Sequence, residues 1–293
     1  MQIVTDSASD LTADLAAEFK IHIVPLSVHI ADFTYTEGDE IQPDRFYYQM
    51  AMNGAYPSTS QPAVGDFVEL YRRLAAVDPE ILSIHISERL SGTLNSARTA
   101  AALVPEANIR LFDSRTLSMG LGWQVLTVAR ARNAGWTSDQ ILALLERVRA
   151  GSNVLCALQE LKYLVHGGRI SHIQGLVASI LQIKPVIGVD IAIGSFAPRG
   201  QARTFTRCLD ALVAQVAREH ITGSELRTQV VHTANPVAAE KLRDKVDRVF
   251  KCHWLPIGRM GPVLGAHAGP NTVGLAYAAE ALFADLPWEV NNP

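Results

Sequence analysis

The sequence predicts an α/β protein of two α/β domains, residues 1–151 and 152–293, the first on a largely parallel sheet. Three observations predict it. Short β-branched runs in the first half alternate with stretches whose apolar residues recur at i, i+3, i+4 and i+7, the mark of strand–helix repetition. A chain of 293 residues exceeds the usual single domain, and Gly151-Ser152-Asn153 breaks the pattern near its middle. Apolar residues make up 48% of the chain and charged residues 19%, which supports a substantial core and argues against disorder.

Gln2-Ile3-Val4-Thr5 reads as a strand, and Leu11, Leu15 and Phe19 as the apolar face of a helix. Residues 21–30 read as one extended segment, with Pro25 marking an edge or a bulge. Residues 33–36 suggest a short strand, and Phe46, Tyr47 and Met50 a short helix starting near Pro43. Residues 57–63, bracketed by Pro57 and Pro62 and rich in hydroxyls, read as a loop. Phe67, Leu70, Tyr71 and Leu74 mark a helix.

Residues 81–86 are apolar and β-branched, a buried strand, and residues 93–103 read as a helix that ends before Pro105. Residues 108–112 give another strand, and Ser118-Met119-Gly120 opens the next helix. Thr137 and Gln140 form a capping box ahead of Ile141, Leu144, Leu145 and Val148. The repetition implies a Rossmann-like sheet with helices on both faces.

In the second half, residues 154–158 begin a new unit and residues 161–170 read as a helix closed by a glycine cap. Residues 184–193 are extended, with a turn at Gly194-Ser195. Leu209, Leu212, Val213 and Val216 mark a helix, residues 228–233 a strand, and Asn235-Pro236 a helix start. Residues 262–270 read as the Gly-rich turn that ends the second sheet.

Several function classes are excluded. The net charge of −3, with scattered basic residues, leaves no footprint for nucleic acid. Cys156, Cys208 and Cys252 are far apart with no C-x-x-C pair, so a disulfide framework or zinc site is not expected, and a reducing, cytoplasmic setting fits. The N-terminus lacks the regions of a signal peptide. The stretch from Gly175 to Ile193 is interrupted by Gln182, Lys184, Pro185 and Asp190, so an integral membrane protein is not expected. The nine histidines show no ligand spacing, and Asp6, Asp10 and Asp113 read as caps and turns, so no metal is expected. Neither G-x-G-x-x-G nor a P-loop occurs, and no cofactor is expected.

The strand ends hold the chemistry. Asp6-Ser7, residues 87–93 and Asp113-Ser114 all follow strands, and ligands of open parallel sheets sit at that edge. Ser91-Gly92-Thr93 lies where a strand feeds a helix, so hydroxyls and free N–H groups converge on a seat for an anion. The competing reading is an ordinary helix cap. A nucleophilic Ser91 with His267 as its partner is the sharpest enzyme reading, but the elbow needs glycine two residues before and after. Arg89 and Thr93 stand there. Gly167-Gly168-Arg169 reads as a cap, and Arg203 as a solvated surface side chain. Residues 175–183 read as core or as the lining of an acyl-chain pocket.

Taken together, the motifs resemble the DegV family. They are Ile3-Val4-Thr5-Asp6-Ser7 with Ser9-Asp10-Leu11; Pro25-Leu26; Thr59-Ser60-Gln61-Pro62; Leu90-Ser91-Gly92-Thr93 with Asn95-Ser96-Ala97; Asp113-Ser114; Leu161-Lys162-Tyr163-Leu164 with Gly167-Gly168-Arg169-Ile170; Lys184-Pro185; Arg203-Thr204; and His267 with Gly269-Pro270. The resemblance implies a long-chain fatty acid held in a cleft between the two domains. It implies that Thr59, Ser91, Arg203 and His267 bind the carboxylate, with Ser60, Gly92 and Thr93 supporting. It further implies a non-catalytic subunit that offers the lipid to a separate ATP-binding fatty acid kinase subunit, which makes acyl phosphate for phospholipid synthesis. The alternative is a Ser-dependent acyl-ester hydrolase. The chain departs from the family pattern at Asn271, where Gly is common, at His166, where Lys is common, and in having fewer basic residues around Arg203-Thr204.

Overall fold

The computed structural model describes residues 1–54, 56–170 and 183–286. From the N-terminus, β1 (Gln2–Asp6) leads through a 3-10 turn to α1 (Ala13–Glu18) and β2 (Ile21–Val24). A small unit follows: β3 (Ser27–Ile30), β4 (Phe33–Thr36), α2 (Pro43–Asn53) and β5 (Ser58–Ser60). Then come α3 (Val64–Ala75), β6 (Glu80–His85), α4 (Thr93–Ala101), β7 (Asn108–Asp113), α5 (Met119–Asn133) and α6 (Ser138–Gly151). The second half holds β8 (Ser152–Ala157), α7 (Lys162–His166), β9 (Lys184–Asp190), β10 (Ser195–Ala202), α8 (Phe205–Glu219) and β11 (Glu225–His232). It ends with α9 (Pro236–Asp247), β12 (Lys251–Trp254), β13 (Gly258–Arg259), α10 (Pro262–Ala268) and β14 (Val273–Ala279).

The first sheet runs β2-β1-β6-β7 and is parallel throughout, as the strand–helix alternation predicts. The second runs β10-β9-β8-β14-β11-β12, antiparallel as far as β11, with β12 and β13 parallel to β11. A third, antiparallel sheet, β4-β3-β5, stands beside the first. Helix α5 is buried on every face and contacts β1, β6 and β8, so it lies between the two large sheets. Every residue from Met119 to Ala129 is buried in it. One core runs through it from Ile3 and Leu82 to Val154, Val231 and Ala276.

Local chemistry explains the boundaries. The Thr137 hydroxyl accepts the Gln140 N–H and the Gln140 side chain accepts the Thr137 N–H, the expected capping box. Asn235 caps α9 through the Ala238 N–H, with Pro236 in its first turn.

Four expectations are corrected. The segment 21–30 is two strands in different sheets, because Pro25 supplies no N–H to continue one ladder. Residues 58–60 are not loop: β5 pairs with β3, Thr59 opposite Val28. Residues 195–202 form an edge strand, β10, that the sequence reading stopped short of. Residues 262–268 form α10, so His267 rides on a helix and not on a strand end. The apolar residues 175–182 lie outside the described residues.

Candidate functional site

Four polar side chains from four separate elements line one cavity. Thr59 comes from β5, Ser91 from the turn between β6 and α4, Arg169 from the turn after α7, and His267 from the last turn of α10. The remaining walls are almost wholly apolar. Leu26, Ile86 and Leu117 come from the first half, Cys156 and Ile187 from the second sheet, and Met260 and Leu264 from around α10. A second, polar hollow adjoins it and shares Leu90, Ser91, Arg169 and Phe196. Those four residues form the neck between a polar mouth and an apolar interior.

The geometry of the polar lining is specific. Thr59 Oγ1 lies 2.8 Å from His267 Nε2. Gly167 allows the imidazole in, since a Cβ there would sit 2.0 Å from His267 Nδ1. Burial, aided by the Arg169 charge, lowers the His267 pKa to about 4, so the ring is neutral at pH 7. His267 Nδ1 has no hydrogen-bond partner among the described residues. Ser91 Oγ lies 2.8 Å from Thr93 Oγ1 and accepts the Thr93 N–H at 3.3 Å, at the first turn of α4. Arg169 is pinned by two carbonyls: Nη1 donates to Gly167 at 2.7 Å and Nε to Leu90 at 3.4 Å. Its other N–H groups are unengaged among the described residues and free to bind an anion at the neck.

Of the expected site residues, the fold brings Thr59, Ser91 and His267 together and leaves Arg203 out. Arg203 is exposed in the turn between β10 and α8 and does not line the cavity. Arg169, read from the sequence as part of a helix cap, lines the cavity instead. The signal was present in Gly167-Gly168-Arg169. Gly168 takes a left-handed φ of +72°, which turns the chain after α7 and brings Arg169 to the neck. Gly92 lines the mouth, beneath the Gln61 side chain. Thr93 is buried behind Ser91. Ser60 is exposed and lies 3.0 Å from His29 Nε2, away from the cavity.

The departures from the family pattern have structural readings. Asn271 has a φ of +63°, a left-handed conformation that Asn tolerates better than other non-glycine residues. His166 stacks on Tyr56, ring centroids 4.7 Å apart, and Lys162 lies over the same ring.

Among the described residues His267 bonds to Thr59 and no carboxylate orients its Nδ1, the group that a serine triad places there. A triad-like chain does exist elsewhere: Asp6 Oδ2 to His85 Nδ1 at 2.9 Å, and His85 Nε2 to Ser83 Oγ at 2.7 Å. Its members are fully buried, and Ser83 ends on the Tyr71 hydroxyl, so no substrate reaches it. Among the described residues no group of three or more His, Cys, Asp or Glu side chains could hold a metal ion. No described helix is long and apolar enough to cross a membrane.

Comparison with known proteins places this geometry among relatives. A family model described as uncharacterised protein, DegV family, matches residues 1–280. A DegV domain-containing protein of Staphylococcus aureus (strain COL) is 33% identical over 274 residues, covering 93% of this chain and 96% of the relative. One from Halalkalibacterium halodurans is 33% identical over 279 residues, covering 95% and 98%. Among solved structures, a DegV family protein from Thermus thermophilus, described by its fatty acid binding, superposes with a TM-score of 0.87 at 30% identity, covering 95% of this chain and 99% of that one. DegV from Bacillus subtilis, described as a fatty acid binding protein, gives 0.85 at 26% identity, covering 95% and 99%.

Proposed function

This chain belongs to the DegV family, and from that premise we propose that it holds a long-chain fatty acid, tail in the apolar cavity and carboxylate at the neck. The observation that carries the reading is that Thr59, Ser91, Arg169 and His267 all line that apolar cavity, with Ser91 and Arg169 where it adjoins the polar mouth. A carboxylate leaving water needs several donors, and two hydroxyls, a guanidinium and the N–H groups of a helix start supply them. The oily tail supplies the driving force. Burying some fifteen methylenes is worth on the order of 10 kcal/mol at about 0.8 kcal/mol each, before the costs of association.

The chain acts as the lipid-carrying, non-catalytic partner of a separate ATP-binding kinase subunit, which phosphorylates the exposed headgroup to an acyl phosphate. Two features support this division of labour. The mouth is open and polar, and the sequence carries no phosphate-binding loop. The weakly basic His267, with no carboxylate behind it, speaks against the hydrolase alternative.

Native mass spectrometry after mild purification tests the reading. The expected result is one fatty acid mass on each chain. A chain that carries no lipid and takes up none in a titration contradicts it. Steady turnover of an acyl ester, abolished by Ser91→Ala, would overturn the non-catalytic assignment. Thr59→Ala and Ser91→Ala are each expected to weaken fatty-acid binding by about 1.5–3 kcal/mol in a direct titration, the cost of one lost hydrogen bond to a charged group. Equal affinity in both variants would remove these hydroxyls from the site.

A further inference from the structure

Whatever seats the first turn of α10 also seats the headgroup site, because this helix carries His267, Val263, Leu264 and Ala268 to the cavity wall. That turn is held by two carboxyls from the first half of the chain. Asp10 Oδ1 accepts the Gly261 N–H at 2.8 Å, and Glu37 Oε1 accepts the Val263 N–H at 2.9 Å. The second oxygen of each meets a serine hydroxyl, Ser118 at Asp10 and Ser7 at Glu37. A Cβ on Gly261 would touch Glu37 Oε1 and crowd Asp10 Oδ1, so the two carboxyls face each other across one glycine. The arrangement is held firmly. Ser118 keeps a left-handed φ of +52° while its N–H donates to the Ala8 carbonyl at 2.7 Å.

We propose that Asp10 and Glu37 are positioning residues that clamp α10, and with it the lipid headgroup site, while they retain a proton, and that release it when both ionise. The inference rests on the fatty-acid reading above. Each carboxyl faces a backbone N–H, which can only donate, and a serine, which can donate or accept. A protonated carboxyl therefore keeps both contacts by turning its O–H to the serine oxygen, which at Ser7 also accepts the Leu26 N–H at 3.0 Å through its other lone pair. Two ionised carboxylates instead place like charges side by side out of water, with no basic side chain bonded to either among the described residues.

The electrostatics agree. Burial lifts the Asp10 carboxyl from 3.8 to about 7, against the pull of Ser118 and the Gly261 N–H. Burial lifts Glu37 from 4.5 to about 8, against Ser7 and the Val263 N–H, with the charges of Asp10 and Asp6 raising it further. Both folded values are raised, so their contribution to stability is full below 3.8 and disappears as pH climbs through about 7 and about 8. The surrounding ionisable groups are Asp6, bonded to His85; Tyr47, whose hydroxyl donates to the Met260 carbonyl; Cys156; and Arg259, paired with Asp44. Burial and the two nearby carboxyls hold the Tyr47 phenol well above its ordinary value, and burial takes the Cys156 thiol to about 12, so neither titrates in this window. His267, at about 4, titrates below most of it.

The test follows the binding of a dansyl-labelled undecanoic acid to the full chain from about pH 6 to about pH 9, with the thermal midpoint recorded alongside. In the parent protein the dissociation constant is expected to rise by roughly fivefold or more across the range, a usual size for proton–ligand coupling, and the midpoint to fall. Glu37→Gln and Asp10→Asn flatten both profiles, because an amide accepts from the N–H and donates to the serine as the protonated acid does. A flat parent profile, or slopes unchanged in both variants, overturns the proposal. Should the parent bind no probe at any pH, the lipid reading fails instead, and the midpoint profiles still decide the clamp. If Glu37→Gln does not fold, Asp10→Asn carries the test.

Discussion

Replacing Arg169 by alanine is expected to cost about 2–4 kcal/mol of fatty-acid affinity, a loss of roughly 30-fold to 1,000-fold, with little change in thermal stability. The size follows from what Arg169 does. Its guanidinium is already fixed by the carbonyls of Gly167 and Leu90, so little entropy is lost when the remaining N–H groups close on a carboxylate. It is the one cation lining the apolar cavity among the described residues. Without it, two hydroxyls and a neutral imidazole must hold a buried negative charge, and the lipid instead stays in water or takes up a proton. Arg169→Lys keeps the charge but not the fork and recovers only part of the loss. Equal affinity of parent and Arg169→Ala in a fluorescence titration would remove this residue from the headgroup. Arg203→Ala, at an exposed position, is the control and leaves binding of the free fatty acid unchanged.

The second large effect is expected at the other end of the ligand. Cys156 lines the cavity from the second sheet. Cys156→Phe places a ring where the acyl chain would lie. Displacing three or four methylenes costs about 3 kcal/mol at ~0.8 kcal/mol each, on the order of 100-fold in affinity. Because the ring fills space that the ligand otherwise fills, the unliganded chain keeps its thermal midpoint within a few degrees. The effect depends on length. A fatty acid too short to reach Cys156 loses little, and a long one loses most. A titration across chain lengths checks this, and a uniform loss at every length would show that the substitution had disturbed the headgroup or the fold.

Much of this architecture is legible in the sequence, for reasons that can be named. The parallel sheet follows from alternation of β-branched runs with amphipathic stretches, and the capping pairs at Thr137 and Asn235 mark helix starts by side-chain chemistry alone. What escapes notice lies at edges and between elements. Both β5 and β10 are edge strands, where proline and glycine are tolerated because one side of the ladder has no partner. Pro57 and Pro62 around β5, and Pro198 and Gly200 in β10, therefore look like loop. Helix α10 contains Gly265 and ends at Gly269, which hides it, although Pro262 in its first turn is a start signal.

The site is legible in part. Thr59, Ser91 and His267 were marked by motifs, yet nothing local says that they meet, since β5 and α10 are more than 200 residues apart and join only in the fold. That Arg169 and not Arg203 lines the cavity has the same origin. Both arginines stand in short motifs beside helices, and only the left-handed turn at Gly168 decides which one reaches the cavity.

A crystal structure of the chain with a long-chain fatty acid tests the central claim most directly. The account predicts the carboxylate within hydrogen-bond distance, about 3 Å, of the Thr59 and Ser91 hydroxyls and the Arg169 guanidinium, with the tail running past Ile187 toward Cys156 and Met260. A lipid bound on the outer surface, or one lying in the cavity with its headgroup away from those three side chains, would contradict it.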